Sequence, residues 1–195
     1  MTLAASKDEP RAVSPPEKVL RLMDTPVVIE AYDPRWPRMF EKERSRILAA
    51  LGSHRIAVEH VGSTAVPGLA AKPIIDILAG VTDFDDAARC IPSLETLGYE
   101  YLPERELETP DRKFLARPRT RPRTHHVHMA AVGSDFWIRH LAFRDYLRTH
   151  ADAASEYEAL KRALAAKFRE DREAYTEGKT EFVRRIEGIG LRSSR

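Results

Sequence analysis

Residues 58–81, VEHVGSTAVPGLAAKPIIDILAGV, decide how this chain folds. The run PIIDILAGV (73–81) is apolar apart from one acid and stands between breakers. A run of that length fits a central strand buried on both faces better than a helix. RIAVEHV (55–61) is a second strand, and it runs straight into Gly62-Ser63. The two strands are joined by a small-residue turn and a loop punctuated by Pro67 and Gly68.

The neighbouring segments supply the rest of a sheet and its cover. PVVIEAY (26–32) carries β-branched residues and reads as a first strand, followed by a turn at Asp33-Pro34. Apolar residues at 36, 39, 40, 47, 48 and 51 have the spacing of an amphipathic helix ending near Gly52. A helix over 84–97 opens on an acidic first turn and closes at Gly98. YEYLP (99–103) is a short strand, and KFLAR (113–117) and THHVHMAAV (124–132) form a strand pair. From Asp135 the chain is helical: FWIRHLAFRDYLRTH, then ASEYEALKRALAAKFREDREAY, then a shorter helix over 177–187.

This order predicts an α/β (α+β) fold, a mixed β-sheet flanked by helices with a C-terminal helical segment, without Rossmann-type βαβ repetition. Residues 1–24 are rich in Pro, Ser and charge, a composition that predicts a disordered tail. Residues 25–190 then make one domain, with a sheet-bearing core at 25–134 and C-terminal helices at 135–190.

Composition narrows the function. The 195 residues are 43% hydrophobic and 32% charged, the balance of an ordinary soluble globular domain. Net charge is only +2, which argues against a nucleic-acid partner and against a membrane surface. No apolar run nears the length of a membrane span, and the N-terminus lacks the apolar region of a secretory signal. Cys90 is the sole cysteine and cannot make an internal disulfide, which fits a reducing cytoplasm; apolar neighbours make it a packing residue.

Four features carry chemistry. Gly62-Ser63-Thr64 directly follows a strand, so its backbone N–H groups and two hydroxyls can approach an anion, although such turns often only connect elements. Lys72 could neutralise a phosphate or be solvated surface. Asp76 lies inside an apolar strand, where an unpaired carboxylate is costly, so it is paired, metal-bound or at the mouth of a cleft. Strand alternation puts Ile74, Asp76 and Leu78 on one face. An Asp-x-Asp pair there would present two carboxylates to Mg²⁺, but the second position is Leu78.

His126 and His128 form an H-x-H on one face of a strand, with His125 on the other. They suit a transition metal, a phosphate or acid–base work; half-buried structural histidines are the alternative. Neighbouring strands could bring His60, Asp76 and His126/His128 into one site, with Asp76, His60 and His128 as metal ligands. The loop 112–123 holds six basic residues, a local positive patch or a solvated hairpin tip. Lys179 and Arg184-Arg185 read as a solvated face, and Arg144-Asp145 as an anion clamp or, the better reading, an ordinary interhelix salt bridge.

The combination YDPRWPRMF, EHVGSTAVPGLAAKPIIDIL, RTHHVHM and LAFRDYLRTHADAASEYEALKRALA resembles the GrpB family over residues 27–190. That family is similar in fold to the nucleotidyltransferase superfamily and also occurs fused to dephospho-CoA kinase. The resemblance implies that Gly62 and Ser63 match the turn that holds a nucleoside triphosphate and that Asp76 matches the first metal-binding acid. It implies a small-molecule or nucleotide ligand and a divalent metal, Mg²⁺ or Mn²⁺. Leu78 replaces the second acid, and histidine stands where a third is expected. Two readings follow: nucleotidyl transfer to a small acceptor, with Asp76, His126 and His128 catalytic, or a binding or folding-accessory module without turnover.

Overall fold

The structure is a computed structural model that describes residues 26–52, 56–107, 109–120 and 122–193. The tail expected over 1–24 lies outside the described residues. Five strands form one mixed sheet: β1 (Ile56–Val61), β2 (Ile75–Val81), β3 (Glu100–Tyr101), β4 (Lys113–Arg117) and β5 (His125–Ala131), in the order β1-β2-β5-β4-β3. Only the β2–β5 pair is parallel. Strand β2, the decisive run of the sequence, sits inside the sheet, and Ile75, Ile77, Leu78 and Ala79 are each 0% exposed.

Alternation along β2 sorts the molecule into two layers. Ile75, Ile77, Ala79 and Val81 face a core built with α1 (Trp36–Leu51) and α2 (Asp85–Thr96), including Trp36, Phe40, Ile47 and Leu94. Cys90 is buried in that core, a packing role in accord with its apolar neighbours. Asp76, Leu78 and Gly80 face the other side, which α3 (Asp135–Thr149) covers with Phe136 and Trp137. Ser134 caps α3 by accepting from the Trp137 N–H at 3.3 Å. Helices α4 (Ala151–Lys167), α5 (Arg172–Glu177) and α6 (Thr180–Ser193) complete this side. Phe143, Leu147, Tyr157, Phe182 and Ile186 form a separate apolar cluster that rests on Val66 and Leu69 of the loop between β1 and β2.

Two elements differ from expectation. Residues 26–32 form no strand; the segment pairs only once, Glu30 with Ala71. Its partner is the loop broken by Pro67, Gly68 and Pro73, which offers no extended run to continue a ladder. The helix expected over 154–175 breaks after Lys167 and restarts at Arg172. Asp171 makes the break by accepting from the Ala174 N–H at 2.9 Å, a cap that starts a new helix.

Candidate functional site

The Gly62-Ser63 turn and Asp76 are built against each other. Val61 pairs with Asp76 across β1 and β2, so the turn leaves the sheet directly over the carboxylate. Gly62 has φ 71°, and a Cβ there would stand 2.5 Å from Asp76 Oδ2. Glycine is required twice over, for the backbone angle and for the space. Ser63 begins a short 3-10 turn, Ser63–Ala65, and its side chain lies near the buried Tyr157 phenol of α4.

Strand β5 supplies the histidines. His126 lies directly opposite Asp76, and its Nδ1 is 3.0 Å from Asp76 Oδ1. A carboxylate only accepts, so His126 donates Nδ1–H and keeps the Nε2 lone pair. His128, two residues on, places Nε2 3.9 Å from the same oxygen, and its Nδ1 lies 3.1 Å from an Arg112 nitrogen. Burial alone would raise the Asp76 pKa; the His126 hydrogen bond and the nearby His128 outweigh it and hold the carboxyl far below its usual range. Burial lowers the His128 pKa, against the pull of Asp76.

The C-terminal half adds a lysine that the sequence pattern assigned to a solvated face. Lys179, just before α6, is half-buried over the Tyr175 ring at 4.5 Å; burial lowers its pKa to about 8 against the attraction of Asp76. Lys72 lies over the same ring at 4.9 Å. Two ammonium groups therefore converge on one buried tyrosine, and one of them, Lys179, is close enough to be attracted by Asp76. Lys179 stands in a polar stretch far along the chain from Asp76, so periodicity gave no signal for it.

Two site assignments are corrected. His60 pairs with Ile77, which puts it on the opposite face from Asp76. Its ring stacks on Phe40 at 4.7 Å, its Nε2–H donates to Thr64 Oγ1 at 3.1 Å, and burial lowers its pKa to about 4. It is a core histidine and cannot share an ion with Asp76. Thr64 is equally committed: its hydroxyl is 1% exposed and donates to the Ile74 carbonyl at 3.0 Å, leaving nothing for a phosphate.

Mg²⁺, one of the two ions expected from the resemblance, does not fit these residues. Leu78 is 0% exposed and packs with Val61, Ala130, Phe136 and Trp137, so an apolar cluster fills the place of a second carboxylate. Asp76, His126 and His128 do bring one donor atom each within 4.8 Å of one another, a nitrogen-rich set foreign to Mg²⁺.

Half of the basic loop is neutralised by ion pairs. Lys113 pairs with Glu106 at 2.7 Å, Arg117 with Glu43 at 2.9 Å and Arg123 with Glu100 at 2.5 Å; Arg121 lies outside the described residues. Arg144 pairs with its neighbour Asp145 on the same helix and ties α3 to Glu59 and to the His60 carbonyl of β1, a structural role. Among the described residues no helix is long and apolar enough to cross a membrane.

Comparison with known proteins places this architecture. Residues 26–188 match the family described as GrpB protein. A UPF0157 protein of Pseudomonas aeruginosa is 46% identical over 166 residues, covering 84% of this chain and 67% of that protein. A dephospho-CoA kinase of Mycolicibacterium paratuberculosis is 30% identical over 187 residues, 82% of this chain but 44% of the kinase. The crystal structure of the conserved protein GrpB from Enterococcus faecalis superposes with a TM-score of 0.79 at 36% identity, over 86% of this chain and 99% of that one. The chain belongs to the GrpB family.

Proposed function

We propose that this chain binds a nucleoside triphosphate in the cleft around Gly62, Ser63, Asp76 and His126 and transfers its nucleotidyl group to a small acceptor. The observation that carries the reading is the Asp76–His126 pair beside the Gly62-Ser63 turn. A carboxylate that takes Nδ1–H orients an imidazole and leaves Nε2 as a proton acceptor. The nucleotide is taken as its Mg²⁺ complex, the ion arriving on the phosphate oxygens as part of the substrate. Backbone N–H groups of the turn, Lys72 and Lys179 bind the phosphates. The acceptor hydroxyl oxygen attacks the α-phosphorus, forming a new P–O bond, and its proton passes to His126 Nε2. The bond from the α-phosphorus to the bridging oxygen breaks, and pyrophosphate leaves with the electron pair.

Consumption of labelled nucleoside triphosphates with a pool of small acceptors tests the reading. Turnover should be lost in His126→Ala while binding survives, and a Lys179→Ala variant should weaken binding. Unchanged turnover in His126→Ala would sink the assignment of the base.

A second reading has its own support: the place of the second acid is closed by the Leu78 cluster, and a dephospho-CoA kinase is among the relatives. On that reading the domain binds nucleotide or anion without turnover and assists a partner enzyme. A thermal-shift screen separates the two. A ligand at 100 times its Kd adds about 2.7 kcal/mol of stability. A shift by a nucleotide that is never consumed, with any acceptor, selects the second reading.

A further inference from the structure

One carboxylate and two imidazoles within 4.8 Å of one another compose a group that ordinarily invites Zn²⁺ or Mn²⁺. Ligation by histidine needs a lone pair on the nitrogen facing the ion, and the other ring nitrogen then carries the proton and needs an acceptor. His128 has the reverse arrangement. Its outer nitrogen, Nδ1, lies 3.1 Å from Arg112 Nη1. A guanidinium has donors only, so Nδ1 must hold the lone pair and the ring proton sits on Nε2. That is the nitrogen turned toward Asp76.

Arg112 is held for this purpose. Its Nη2 donates to the Arg105 carbonyl at 3.2 Å, and its guanidinium lies 4.9 Å from the Phe114 ring centre and 5.8 Å from that of Phe136. The His128 ring is packed by the same two aromatics, at 5.0 Å and 6.0 Å, and by His140 at 6.1 Å. The charged and titratable groups that bear on His128 are Asp76, Arg112, His126 and His140. His140 is turned away, with its Nδ1–H given to the Phe136 carbonyl at 2.7 Å. His126 spends its own Nδ1–H on Asp76. The carboxylate therefore accepts one imidazole N–H, that of His126 at 3.0 Å, and faces a second, His128 Nε2–H, at 3.9 Å.

We propose that Arg112 is a positioning residue that fixes His128 as the Nε2–H tautomer. His128 thereby turns an N–H toward Asp76 and serves an incoming anionic oxygen as a hydrogen-bond donor, and the three-residue group rejects the transition metal that its composition invites. The inference rests on the reading of the cleft as an anion site, but its test needs no turnover, so it stands or falls separately from nucleotidyl transfer.

Two-bond ¹H–¹⁵N correlation spectra of the full chain read the tautomer directly. His128 should show a protonated Nε2 and an unprotonated Nδ1; the opposite pattern overturns the proposal. Titration with Zn²⁺, and with Co²⁺ followed by its visible absorption, reads the consequence. The native chain should bind either ion weakly. Arg112→Met frees Nδ1 to take the proton and should tighten Zn²⁺ binding at least tenfold, with an absorption band from Co²⁺ that Asp76→Ala abolishes. Arg112→Lys retains a donor at Nδ1 and should restore the weak binding. Tight stoichiometric Zn²⁺ binding by the native chain, or no gain in a folded Arg112→Met variant, would refute it. Should Arg112→Met fail to fold, the spectra of the native chain still decide.

Discussion

Gly62 and Asp76 illustrate how two residues fourteen apart in sequence define one another. Gly62→Ala must strain φ 71° and drive a methyl into the carboxylate, so a loss of about 2 kcal/mol or more is expected in urea unfolding. Part of that cost is the clash, so a Gly62→Ala/Asp76→Ala double variant should recover about 1 kcal/mol relative to additivity. An additive cycle would show that the two do not touch. Leu78→Asp, the change that would rebuild an acidic pair on paper, buries a carboxylate among Val61, Ala130, Phe136 and Trp137. The expected result is a loss of about 3 kcal/mol or more and no Mg²⁺ binding, both readable by thermal melts with and without the ion. Asp76 was legible in the sequence because an acid in an apolar strand is costly. His126 and His128 were legible from the two-residue strand period. The side on which His60 falls was not, because it depends on the β1–β2 register, which the period leaves open. Lys179 was hidden because a lysine in a polar stretch looks solvated until the helix before it folds back over the turn.

The helices of the C-terminal half are held to one another by close backbone approach and to the sheet by one buried guanidinium, Arg144. A Cβ at Gly190 of α6 would stand 2.9 Å from the Ala142 carbonyl oxygen of α3, and that neighbour is backbone, which cannot swing aside. Gly190→Val should therefore cost about 1–3 kcal/mol despite the better helix propensity of valine, measured as a lower urea midpoint. A neutral outcome would mean that the two helices do not touch there. Strands β2, β4 and β5 were readable because burial pattern and length agree in each. The segment 26–32 misled because β propensity counts only where a partner strand exists, and its partner is a loop broken by proline. The split between α4 and α5 was written in Asp171, whose capping role competes with an apolar stripe that runs on past it.

The titration behaviour of the whole domain follows from its buried bases. Burial lowers His60, His125 and His140 to about 4 from an ordinary 6.5, so between those values the unfolded chain binds more protons. The contribution of these histidines is then fully present above pH 6.5 and falls as pH drops toward 4, with about three protons taken up on unfolding near pH 5. Lys161 is lowered to about 7 and Lys179 to about 8, both chiefly by burial. The folded state again holds fewer protons, so stability should rise from pH 7 toward 9.5 before the tyrosines ionise in the unfolded chain. Urea midpoints measured from pH 4 to 9.5 check both limbs, and a flat profile would contradict the burial of these groups. The two-faced sheet has an optical consequence as well. The chain has two tryptophans, Trp36 packed in the core beneath one face and Trp137 against Leu78 on the other. Emission from a Trp36→Phe variant therefore comes only from the side that carries Asp76, and emission from Trp137→Phe only from the opposite side. An anion entering the cleft should perturb the first signal and leave the second unchanged, so intrinsic fluorescence gives each face its own reporter without any added label.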